Sequence, residues 1–90
     1  MRSVTDERRV DRALVSRLLG DPTDQVGSVN DPRLHEEHGL RWNEKWLYSP
    51  RHGEEGVLAV LWNRYDFLGA FRLLPDGSTR PEPLPEPLPE

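Results

Sequence analysis

Ninety residues with a formal net charge of −4, 31% charged side chains and no cysteine allow one domain and exclude several function classes. Disulfides and thiolate zinc sites are both ruled out. No apolar run nears the ~18 residues of a membrane span, and the N-terminus carries no signal-peptide core, so a cytoplasmic protein with no membrane partner is expected.

Residues 3–20 read as a first helix. Ser3 or Thr5 caps it, Asp6 and Glu7 place negative charge in the first turn, and Gly20 with Pro22 stops it. Val10, Ala13, Leu14, Val15, Leu18 and Leu19 form an apolar stripe at helical spacing. Arg2, Arg8, Arg9, Arg12 and Arg17 are interleaved with Asp6, Glu7 and Asp11. That pattern reads as a solvated, self-paired face rather than the basic face of a nucleic-acid binder. Residues 21–30 lack periodicity and read as a loop. Asp31-Pro32 then opens a short second helix, which Gly39 closes.

Residues 40–49 alternate as a strand, with Leu40, Trp42, Trp46 and Tyr48 on one face and Glu44 as the polar exception. Residues 57–62 form a nearly continuous apolar run, as a central strand would. Asn63-Arg64-Tyr65-Asp66 reads as a four-residue turn, and 67–74 returns as the next strand. Pro75-Asp76-Gly77 makes the following hairpin, because Pro presets φ and Gly supplies a positive φ. Ser78 to Arg80 then runs back antiparallel to Arg72 and Leu73.

The fold class expected is therefore α+β. An N-terminal helix and a short second helix pack on a four-stranded antiparallel meander in residues 1–79, followed by an extended proline-rich tail in 80–90. In that tail Pro81, Pro83, Pro85, Pro87 and Pro89 recur at period two. Polyproline ligands need a period of three, whereas period two removes every donor from one edge of a strand. Such a segment, if ordered, adds along a sheet edge. The alternative reading is a solubilising acidic tail.

Three constellations in the sequence bear on chemistry. His35 and His38, with His52 from the 50–56 loop, are the weak candidates for a metal site. The spacing is not that of a zincin helix, and an exposed polar turn accounts for the cluster, so no metal and no cofactor is expected. The serines and threonines lack a nucleophile-elbow setting, and the glycines form no phosphate-binding loop, so catalysis is not expected. All the aromatics, three Trp, two Tyr and two Phe, fall between Trp42 and Phe71, and polar residues stand among them. Trp62, Arg64, Tyr65 and Asp66, together with Leu84 and Leu88 of the tail, are the candidate partner-binding residues. The function expected is a non-catalytic interaction module (accessory subunit, inhibitor or adaptor) acting on a protein partner or a second copy. The alternative is a small-ligand or metal-binding domain using His35, His38 and His52.

Overall fold

The computed structural model describes residues 10–51 and 53–84. Among these residues a single helix, α1 (Arg12–Leu19), is followed by β1 (Asp24–Gly27), β2 (His35–Glu37), β3 (Leu40–Trp42), β4 (Glu44–Tyr48), β5 (Val57–Asn63), β6 (Asp66–Leu73) and β7 (Thr79–Pro81). Five strands make one antiparallel sheet in the order β1-β4-β5-β6-β7, and β2 and β3 make a separate two-stranded sheet. The protein is mostly β, so the expectation of two helices on a four-stranded meander is corrected.

The second helix does not form. Asp31 caps no helix; its carboxylate accepts the Arg33 N–H at 2.9 Å, a turn of the Asx kind. His38 and Gly39 both take positive φ, 54° and 76°, and make the two-residue turn of a tight hairpin. A two-turn helix here would have had Leu34 as its only apolar anchor, and Leu34 is exposed. As a hairpin the segment gains contacts instead. His35 packs on Trp42 with ring centroids 4.6 Å apart, and His38 stacks on Phe71 at 4.1 Å.

Two further boundaries shift for physical reasons. The span read as a loop contains β1, whose four residues are all exposed, so no apolar pattern announces it. Its end is fixed by Gly27, where φ is 77° and a Cβ would come within 2.1 Å of the Asn43 carbonyl oxygen. The strand expected at 40–49 breaks at Asn43, so Trp42 pairs across the small hairpin with His35. Lys45 lies over the Trp42 ring, and Trp42 is therefore separated from Trp46 and Tyr48.

The described helix begins at Arg12, and Ser3 and Thr5, expected as caps, lie outside the described residues. Asp11 caps α1 by accepting the Leu14 N–H at 2.9 Å. Gly20 ends it with φ 81°, its N–H bonded to the Ser16 carbonyl. Val15 and Leu19 of α1 face Trp46, Tyr48, Leu58, Val60, Trp62 and Ala70 of the sheet in one buried cluster. Val10, Leu18, Phe67 and Leu84 pack around it, half-buried. The Tyr48 hydroxyl donates to the Gly20 carbonyl at 3.1 Å, and burial pushes its pKa up to about 12.

Candidate functional site

A polar network beneath α1 fixes the β5–β6 turn in place. Glu44 is almost fully buried on the helix side of β4. One of its oxygens accepts from Trp46 Nε1 and Gln25 Nε2, both at 2.8 Å. The other has no aligned hydrogen-bond donor but lies 2.5 Å from Arg12 Nη2, so opposite charge satisfies it. The Arg12 guanidinium sits 5.0 Å from the Trp62 ring centroid, 5.5 Å from Trp46 and 5.9 Å from Tyr65, within cation–π range of all three. Arg12 also donates to the Arg64 carbonyl at 2.6 Å. This arginine, read from the sequence as part of a solvated face, thus points inward.

Asn43 completes the support. Its side chain donates to the Val29 and Asp31 carbonyls at 3.1 and 3.0 Å and accepts the Arg64 N–H at 2.8 Å. The 63–66 turn is therefore gripped from both sides, by Arg12 on its carbonyl and by Asn43 on its amide. Arg64 takes φ 56° there, and this non-glycine residue holds a left-handed conformation because those two bonds offset its steric cost.

On this support lies an apolar groove of about 520 Å³ along the outer side of β6. Phe67, Leu68 and Ala70 line one wall, Pro83 and Leu84 the other, and Val10 the N-terminal end. A cleft of about 360 Å³ formed by Tyr65 and Asp66 continues it, sharing Val10 and Phe67. The groove exists because pairing on β6 stops partway. β7 pairs with Phe71 to Leu73, and Glu82 adds one bond, its N–H to the Ala70 carbonyl at 2.9 Å. The ladder between β5 and β6 then slips by one residue at Leu61/Trp62, leaving Leu68 as the extra residue. A bulge of this kind bends the strand and ends pairing, and Leu84 packs against the core cluster.

The sequence candidates separate clearly. Trp62 is 0% exposed and serves as core, whereas Tyr65 is 68% exposed. Arg64 and Asp66 are exposed beside it, and Leu84 borders the same groove, so Tyr65, Asp66 and Leu84 converge on one surface. Leu88 and His52 lie outside the described residues. His35 and His38 sit on the β2–β3 hairpin against Trp42 and Phe71, and no three His, Asp or Glu side chains converge to hold a metal among the described residues. Phe67 and Val10 were not singled out. Val10 carried only the helix-stripe signal, and Phe67 looked like any strand residue.

A second depression of about 540 Å³ is lined by Glu54, Glu55, Arg72, Arg80 and Glu82. Three of its charged residues, Arg72, Glu82 and Glu54, are tied to one another. Arg72 holds Glu82 through two bonds, one of 2.9 Å from Nε and one from Nη2, and lies 3.6 Å from Glu54. With little apolar lining it offers a weaker docking surface than the groove. No family model, curated protein or solved structure matches the chain.

Proposed function

We propose that this chain is a non-catalytic interaction module that holds another protein in the groove beside β6. One observation carries the reading. Half-buried Phe67, Val10 and Leu84 line a continuous apolar trough, and an exposed tyrosine and carboxylate stand at its open end. An apolar floor with an aromatic and a charge at its rim is the anatomy of a binding hot spot. Leu84 lies far along the sequence from the adjacent Tyr65 and Asp66 yet borders the continuous groove they open into, which supports a built surface rather than scattered exposure.

A photo-crosslinking amino acid placed at Tyr65 or at Leu84 tests this in the native host. Both positions should capture the same protein, and one placed at Val26 on β1 should not. Capture from Val26 alone, or of nothing from either groove position, would refute the assignment.

A further inference from the structure

We infer that the groove takes a basic–apolar segment of a foreign protein, with an arginine or lysine against Tyr65 and Asp66 and an apolar side chain between Val10, Phe67 and Leu84. This rests on the reading of the groove as a docking site and specifies its occupant.

The charges argue for it. Asp66 and Glu82 are the charged residues lining the groove, and both are acids. Glu82 is held by Arg72. Asp66 has no ion pair among the described residues. The Arg12 guanidinium lies 5.9 Å from the Tyr65 ring centroid, and the remaining surface of that exposed side chain offers a foreign guanidinium or ammonium group a π-contact next to a carboxylate. The apolar trough begins at the adjacent Phe67.

The same charges argue against two occupants the chain itself could supply, a second copy and the C-terminal tail. A second copy meeting this face through a two-fold contact would bring the same two acids from each copy, and no lining cation, into the contact. Continuing the β7 register, in which Arg80 stands opposite Arg72, would carry Glu86 opposite Asp66, again acid on acid. Strand addition by a partner is also disfavoured. The bulge at Leu68 breaks the straight row of donors and acceptors that an added strand needs. Recognition therefore falls to side chains, and the cation supplies orientation while the apolar anchor supplies most of the affinity.

Two capped peptides provide the test, acetyl-Arg-Leu-Gly-Leu-amide and its acetyl-Glu counterpart, titrated into the 15N-labelled full chain. The arginine peptide should give saturable amide shifts centred on Tyr65 to Leu68 and Leu84. The glutamate peptide should bind about fivefold more weakly, the scale of an exposed charge contact replaced by a repulsion. In Asp66→Arg, which alters an exposed residue at the start of β6, the preference should invert. Equal binding of both peptides overturns the inference, as does the absence of saturable shifts at about 10 mM peptide, a concentration that would populate even a millimolar complex. Shifts at these amides that depend on protein concentration without peptide would identify a second copy and also overturn it. If the peptides fail but crosslinking from Tyr65 and Leu84 captures one protein, the docking site stands and only this occupant falls.

Discussion

Two ion pairs tie the ends of the described chain to the sheet, and they are built on different principles. Arg12 of α1 reaches Glu44 of β4 under a lid of aromatic rings, where the glutamate side chain is 4% exposed and the arginine 24%. Arg72 of β6 reaches Glu82, just past β7, with the arginine side chain 6% exposed and the glutamate 28%. In the first pair the carboxylate has given up water entirely and regains its partners from Gln25, Trp46 and Arg12. In the second, water still reaches the acid. A buried pair contributes little net stability relative to an apolar replacement, but breaking it strands a charge. A pair whose acid stays partly in water contributes less, and when that acid is changed Glu54, 3.6 Å from Arg72, still faces the buried guanidinium. The N-terminal tie should thus be brittle and specific, and the C-terminal tie soft and responsive to conditions.

The sharpest way to break that contrast is Glu44→Ala. It leaves Arg12 among three rings without its counter-charge and should cost about 3–5 kcal/mol, enough to unfold much of the population of a domain this small. The double change Arg12→Met with Glu44→Leu should recover most of that loss, and urea melts of the single and double variants measure both. If Glu44→Ala costs less than about 1 kcal/mol, the pair is solvated and the contrast is lost. Trp46→Ala should match the single variant at about 3–5 kcal/mol, since Trp46 packs on Trp62 with centroids 5.0 Å apart and also donates to Glu44.

Asn43→Ala asks whether burial alone, without charge, makes such a tie brittle. It leaves the Val29 and Asp31 carbonyls and the Arg64 amide unpartnered and should cost about 1–3 kcal/mol. Because Asn43 grips the amide of the turn, amide exchange at Arg64 and Tyr65 should rise more than exchange at Val60. Uniform change across the sheet would deny it that positioning role.

These residues also mark what the sequence allowed to be seen. The strands from Glu44 to Arg80 were legible because their apolar alternation and the Pro75-Asp76-Gly77 turn are local signals. The helix stop at Gly20 was legible for the same reason. β1 was not, because an exposed edge strand is held by backbone bonds that leave no side-chain pattern. The 31–39 segment carried a helix-start signal and a glycine stop, and both were overridden once His35 and His38 found ring partners distant in sequence. Arg12 and Asn43 were invisible as site supports for a related reason. One looked like a surface charge and the other like a polar strand position, and only tertiary contact gives either its role. Tyr65, Asp66 and Leu84 stood out in the sequence as candidates, but nothing there showed that Val10 and Phe67 lie between them along the groove.

The smallest expected effect belongs to Glu82→Gln, and it sharpens the comparison through pH and salt. The hydrogen bonds from Arg72 hold the Glu82 carboxyl below its ordinary value of 4.5. A carboxylate whose folded pKa is depressed adds stability that is fully present above the unfolded value. That stability drains away as pH falls through the lower folded value. At neutral pH the substitution should therefore cost under about 1 kcal/mol, since a partly exposed pair is screened by water. The gap between variant and parent melting temperatures should close as pH drops below 4.5. In about 1 M salt, where the screening length shrinks to ~3 Å, the gap should narrow even at neutral pH. The cost of Glu44→Ala should barely move, because salt does not reach a charge enclosed by Trp46, Gln25 and Arg12. Equal salt sensitivity of the two variants would mean that the two ties are the same kind of contact. It would place water at Glu44, and the brittle, desolvated account of the N-terminal tie would have to be given up.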